Sequence, residues 1–244
     1  MKIFRSHKEA WDIPNNISFF ISSTETSNKD KLHLLHENFS NPLVIQDSNT
    51  RLNVRNLQQQ LLIKNIALMN QSHSNIVNKL IDYENYTRSD AIFTNNSQIA
   101  CAVITADCLP ILVTNKSGTF IGCIHAGWRG LIGGIIEKFF KKVENIDKSE
   151  FKVLIGPSIS KKRYEVGQFI YDLFSEYSNH FTYNNNNGKY NMDLRNIANE
   201  ILSRQGISDV TISSECTFDN QSFFSYRRDN TSGRFISLIW FNNS

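Results

Sequence analysis

Cysteine is scarce in this chain: four residues (Cys101, Cys108, Cys123 and Cys216) in 244. So few thiols in a chain this long cannot build a disulfide scaffold, and they read instead as reduced thiols in a cytoplasmic protein. No apolar run approaches the roughly 18 residues of a membrane span. The first residues, MKIFRSHKEAWDIPNN, are broken by charge and proline and lack the apolar core of a signal peptide. The excess of positive charge is small, a net +3, which gives no footprint for nucleic-acid binding. There is no Pro/Ser linker, repeat or shift of composition, so residues 1–244 are expected to form a single domain. The run Asn184–Asn187 before Gly188 reads as a polar surface loop.

Against that background one segment is rich in chemistry: CLPILVTNKSGTFIGCIHAGWRG, from Cys108 to Gly130. Leu109–Thr114 and Thr119–Ile124 are short β-branched runs around the turn cluster Asn115–Gly118. A four-residue turn pairs Thr114 with Thr119 and sets Cys108 opposite His125, with Cβ atoms roughly 5 Å apart. A bulge at Pro110 would shift that register. Three readings of the pair stay open: metal ligands, a thiolate–imidazole nucleophile, or a core thiol beside a satisfied imidazole. On the bland reading Cys101 and Cys123, inside apolar runs, are structural.

Behind His125 runs Ala126-Gly127-Trp128-Arg129-Gly130, then Gly133-Gly134 and a helical pattern with Ile132, Ile136, Phe139, Phe140 and Val143 on one face. One helix over 129–144 is expected. Its N-terminus, the close approach allowed by Gly127 and a bidentate contact from Arg129 make a candidate phosphate site. The alternative is that these glycines serve only a tight turn and close packing. Asp107 is a candidate for orienting a ligand or moving a proton, or equally a carboxylate bonded to backbone N–H groups. Arg227, in Tyr226-Arg227-Arg228, is either a substrate contact or part of an exposed basic pair.

The remaining pattern predicts strands at 17–22, 42–46, 60–68, 91–94, 99–105, 111–114, 119–124, 151–155, 209–213, 223–226 and 234–241, and further helices at 166–177 and 193–205. Strands outnumber helices and hairpin links are common, so an α+β layered domain with mixed, largely antiparallel sheets is expected. A zinc site with an open position takes three protein ligands. Spacing leaves His7, His33, His36, His73 and His180 all available as the third. Local context favours His73, delivered by an apolar run (Leu61–Met69) into small polar residues.

A set of motifs now stands in order along the chain. They are Gln71–Val77 (QSHSNIV), Ser89–Asn95 (SDAIFTN), Thr105–Ile111 (TADCLPI), His125–Gly130 (HAGWRG), Gly156–Ile159 (GPSI), Tyr164–Gly167 (YEVG), Cys216–Thr217 and Phe223–Asp229 (FFSYRRD). Over residues 60–240 the sequence resembles the YfiH-like "laccase-domain" family, known both as polyphenol oxidases and as purine nucleoside phosphorylases. TADC and HAGWRG are its specific motifs. The resemblance implies a layered α/β/β/α fold and one zinc per chain on His73, Cys108 and His125. It further implies phosphorolysis of adenosine, inosine and S-methyl-5'-thioadenosine, with adenosine deamination as a second activity. The implied partners are purine nucleosides and phosphate, without nucleic acid or membrane. One departure stands out: Ser74 occupies a position where the family has glycine, as though a special backbone angle were needed there.

The rival enzyme reading makes Cys108 the nucleophile and His125 the base of a hydrolase, deamidase or peptidoglycan-editing amidase. Copper in place of zinc is the lesser cofactor reading, because one Cys and two His cannot build the several sites of a laccase. A non-catalytic zinc-stabilised module would leave the open coordination position without a purpose.

Overall fold

The computed structural model describes residues 11–23, 48–84, 87–230 and 233–242, with the backbone alone for 48–53. In chain order these form β1 (Ile17–Ile21), α1 (Ser48–Leu61), β2 (Asn65–Ala67), β3 (Met69–Asn70), β4 (Val77–Lys79), β5 (Thr87–Arg88) and β6 (Ala91–Thr94). There follow β7 (Ile99–Thr105), β8 (Leu109–Asn115), β9 (Ile121–Ala126), α2 (Trp128–Ile132), α3 (Ile135–Lys142), β10 (Phe151–Ile155), β11 (Glu165–Val166) and α4 (Gln168–Leu173). The chain finishes with β12 (Phe181–Asn184), β13 (Lys189–Met192), α5 (Leu194–Arg204), β14 (Val210–Ile212), α6 (Tyr226–Asp229) and β15 (Phe235–Phe241). No helix among the described residues is long and apolar enough to cross a membrane.

Two sheets stack face to face. One has the order β1-β15-β7-β2, the other β14-β10-β8-β9-β6-β4. Antiparallel pairings dominate, with parallel pairs at the edges (β2 on β7, β14 on β10, β4 on β6). Strand β7 shows why the layers form. Ile99, Cys101 and Val103 point between the sheets, while Ala100, Ala102 and Ile104 point the other way, the period-2 alternation of a strand buried on both faces. Val54 and Leu57 of α1 cover the outer face of the four-stranded sheet. Ile136, Phe139 and Phe140 of α3, with Ile197 and Ile201 of α5, cover the other. The result is the expected α/β/β/α stack, with Cys101 and Cys123 in its central layer.

Several local expectations need correction. The stretch expected as a strand at 60–68 is the end of α1 followed by only three strand residues, Asn65–Ala67. The helix expected over 129–144 is two helices, broken where Gly134 takes φ +75. Residues 166–177 form the short α4 and a 3-10 turn. The expected strand at 223–226 leads instead into the helical turn α6, capped by the Ser225 hydroxyl. The asparagine run sits at the β12–β13 hairpin turn. The strand expected at 42–46 lies outside the described residues.

The hairpin register also differs. Thr114 pairs with Ile121, and Pro110 with His125, because Asn115 Oδ1 accepts the N–H groups of both Thr119 and Phe120 and draws the turn one residue further on. The change moves each partner by two positions, so every side chain keeps its face. Cys108 consequently lies opposite Gly127 and diagonal to His125 on the same face.

Gly122 marks where strand β9 meets α3. A Cβ there would lie 2.7 Å from Phe139 Cζ and 3.0 Å from Phe93 Cβ. Phe139 cannot yield, since the rings of Phe93, Phe120 and Phe140 surround it. Gly122→Ala is expected to cost about 1–3 kcal/mol by overpacking. That lowers Tm by roughly 2–10 °C for a chain of this size, measurable by thermal unfolding; an unchanged Tm would show that the core is looser than drawn.

Candidate metal centre

Asp90 comes immediately before β6 and is fully buried. A buried carboxylate must be paired and hydrogen-bonded, and here five donors surround it. Its Oδ2 accepts the N–H groups of Ser72 (3.2 Å) and Ser74 (2.7 Å) and the Ser74 hydroxyl (2.6 Å). Its Oδ1 takes the His73 N–H (3.0 Å) and faces His125 Nδ1 at 2.8 Å. Burial by itself raises the Asp90 pKa, but the imidazole of His125 and the donors of Ser74 outweigh it and hold the carboxyl at about 2. The loop bends around this group with His73 at φ +60. The special backbone angle therefore lies at His73 itself, not at Ser74, and Ser74 adds a hydroxyl bond that glycine could not make.

This arrangement turns both histidines toward Cys108. With Nδ1 of His125 occupied by Asp90, its Nε2 is left for the cavity. The rings of His73 and His125 meet edge to face, 4.7 Å between centroids, and His73 Nε2 is 3.8 Å from Cys108 Sγ. One donor atom from each of His73, Cys108 and His125 lies within 4.8 Å of the others, the one such group among the described residues. Ligands on a tetrahedral zinc, with bonds of about 2.0–2.3 Å, sit roughly 3.3–3.8 Å apart, so a small contraction brings all three onto one ion. A carboxylate behind a ligating imidazole is the usual support for such a site. Gly127 keeps the space clear: a Cβ there would approach Cys108 Sγ to 2.8 Å and His73 Cδ2 to 3.1 Å.

The electrostatics favour a deprotonated sulfur. Burial raises the Cys108 pKa, but the neighbouring rings of His125 and His73 outweigh it and bring it to about 6. Burial lowers that of His125, yet Asp90 and Cys108 raise it to about 9.

The triad borders a cavity of about 380 Å³, within the range of small-molecule sites. Three guanidiniums line it, each over an aromatic ring that also lines it. Arg129 stands over Trp128 (4.3 Å to the centroid), Arg227 over Tyr164 (5.0 Å) and Arg234 over Tyr226 (5.7 Å). Asp107 lines the same space at φ +91, its carboxylate accepting the Thr217 hydroxyl (2.6 Å) and the Arg227 N–H (2.7 Å). Of the other histidines, His180 pairs with Glu200, outside this group, while His7, His33 and His36 lie outside the described residues. Sequence reasoning missed Asp90, Tyr164 and Arg234 as lining or supporting residues. An acid directly ahead of the buried strand Ala91–Thr94 was the available signal for Asp90; the other two carry none in isolation.

Asp90→Asn swaps one acceptor oxygen for a donor facing a cluster of donors. It is expected to weaken metal affinity by roughly 10- to 100-fold, read by competition against a chromogenic chelator. Wild-type affinity in the variant would mean that the imidazoles orient themselves without it.

Residues 38–242 match the model of a family described as multi-copper polyphenol oxidoreductase laccase. A Haemophilus influenzae protein named purine nucleoside phosphorylase is 32% identical over 243 residues, covering 95% of this chain and 97% of that one. The Shigella flexneri protein named purine nucleoside phosphorylase YfiH is 38% identical over 160 residues, 63% of this chain; the match spans 64% of that relative, just under two thirds of its length. The crystal structure of a Neisseria meningitidis protein superposes with a TM-score of 0.81 at 32% identity, covering 95% of this chain and 96% of that one. YlmD from Geobacillus stearothermophilus shares the fold at a TM-score of 0.81 and 23% identity, over 94% of this chain and 93% of that one. The chain belongs to this laccase-domain family of YfiH-like proteins.

Proposed function

We propose that this chain is a single-domain, zinc-dependent purine nucleoside phosphorylase. Its substrates in this reading are adenosine, inosine and S-methyl-5'-thioadenosine, and the same pocket deaminates adenosine. The observation that carries the reading is a two-imidazole, one-thiol donor set opening onto a cavity whose charged walls are guanidiniums. The names of the Haemophilus influenzae and Shigella flexneri relatives support it. The donor set suits zinc better than copper, since three ligands with an open position are a zinc pattern. A laccase needs several copper sites, whereas the described residues supply one candidate group. Four free thiols suit the reducing cytoplasm.

Zinc held by His73, Cys108 and His125 supplies Lewis acidity, to polarise a substrate group or acidify a water. The remaining work falls to the chain's own side chains. Arg129 stands over the Trp128 ring, 4.3 Å from its centroid, and its guanidinium can offer a phosphate an oxygen-pair contact from the cavity wall. Met69 and Ile104 give an apolar wall against which a purine packs. Asp107 spends its carboxylate on Thr217 and the Arg227 N–H, so its part is to position the turn that carries Arg227 and not to move a proton. Gly127 serves the metal triad through its missing Cβ.

A second reading has one specific observation behind it. Cys108, His125 and Asp90 stand in the order of a nucleophile, its base and the group that orients the base. Alkylation separates the two. A zinc-ligated Cys108 reacts slowly with iodoacetamide until the metal is stripped, whereas a free nucleophilic thiolate is alkylated at once in the protein as isolated.

Purified without chelator, the wild type is expected to carry about one zinc per chain and Cys108→Ala none, by elemental analysis. Zinc retained in the variant, or absent from the wild type, would remove the site. Arg129→Ala should raise the phosphate KM for adenosine cleavage by roughly 10- to 150-fold, the value of a charge-assisted contact. Zinc content and phosphate-independent deamination should hold. Equal losses in both reactions would reduce Arg129 to a structural role.

A further inference from the structure

The three arginines around the cavity are held differently. Arg129 and Arg227 are solvent-exposed and sit on the short helices α2 and α6. Arg227 spends one N–H on the Glu165 carbonyl, and Arg234 one on the Gly233 carbonyl. Arg234 is half-buried and is the residue immediately before β15, one of the two interior strands of the four-stranded sheet. Its neighbour Phe235 is 1% exposed and pairs with Thr105 of β7, so the base of the side chain is anchored in the core. The residue on its other side is fixed too: a Cβ on Gly233 would fall 2.5 Å from the Phe224 ring, and only glycine passes there. Groups carried on sheet ends hold their geometry better than groups on loops.

The charge around Arg234 points the same way. Asp107 is the one carboxylate lining the cavity among the described residues, and its oxygens accept the Thr217 hydroxyl and the Arg227 N–H. Three guanidiniums therefore face the space with little acid to offset them. Thr105 also lines the cavity, and its buried hydroxyl has no hydrogen-bond partner among the described residues. A half-buried guanidinium binds an anion more strongly than an exposed one, because less water screens the pair.

We propose that Arg234 is the inner phosphate-binding residue of this cavity, holding an inorganic phosphate oxygen on the side of the metal triad while Arg129 closes over it from the rim. This rests on the phosphorylase reading for its substrate but not for its test.

Inorganic phosphate is titrated calorimetrically into the protein as isolated, for the wild type, R234Q and R234K, and adenosine phosphorolysis is followed across phosphate concentrations. R234Q is expected to weaken phosphate by roughly 10- to 150-fold in both Kd and KM. Adenosine KM, zinc content and Tm should stay at their wild-type values. R234K should fall between, since lysine keeps the charge and loses the planar fork. If R234Q does not fold, R234K decides alone, and wild-type phosphate affinity in it overturns the assignment. Unchanged phosphate affinity in R234Q, equal losses for phosphate and adenosine, or a wild type that binds no phosphate also overturn it. A wild type that binds phosphate through Arg234 and leaves adenosine intact would sink the phosphorylase reading and uphold this one.

Discussion

The burial of one carboxylate, Asp90, is the constraint on which the site depends. A charge with no solvent access must find donors inside the protein, and it finds them in two places that the chain brings from far apart. Three consecutive N–H groups and a hydroxyl come from the Ser72–Ser74 loop, and the imidazole of His125 comes from the end of β9. Both histidines of the triad are thereby tied to the same oxygen, Oδ1, His73 through its backbone N–H and His125 through its ring. The tie holds the two residues side by side, and for His125 it fixes the direction in which the second ring nitrogen points. The strain of His73 at positive φ is offset by the bonds that hold it there.

Cys108 enters the same arrangement from a different strand, and a missing atom positions it. Gly127 faces it across the hairpin, and any side chain there would occupy the place of the sulfur. The glycine-rich start of α2 thus serves close packing around the triad. Helix α2 has only five residues before the Gly133–Gly134 break, too few peptide dipoles in line to make its N-terminus a strong anion site. Positive charge at the cavity comes from the arginines instead. Each stands over an aromatic ring, an arrangement that limits the rotamers of a long side chain.

Much of this was legible in the sequence, unevenly. The apolar alternation of Ile99–Thr105 and the helical stripe of Ile136, Phe139 and Phe140 appear in the structure where local pattern placed them, because periodicity reflects burial directly. His73, Cys108 and His125 were singled out from residue type and neighbours, and the structure brings them together. The hairpin register failed by two residues because Asn115 spends its side chain on the turn, a choice that turn composition does not reveal. The helix over 129–144 failed because periodicity passes through a glycine pair without registering the left-handed residue between the two helices.

By itself the sequence determined the α+β class and most strands of the two inner layers, though not β4 and only part of β2, and it favoured His73 beside Cys108 and His125 as metal donors. Each of those depends on residue type or on spacing within one segment. Only the tertiary structure decided that Asp90 holds the His73 backbone and the His125 ring, that Asp107 accepts the Arg227 N–H, and that Arg234 reaches the cavity. Those contacts join residues 17 to 120 positions apart or depend on which strand ends share a corner. A one-dimensional pattern carries no information about such pairs, because the energy that selects them comes from burying both sheets at once and pairing whatever charge is trapped between them.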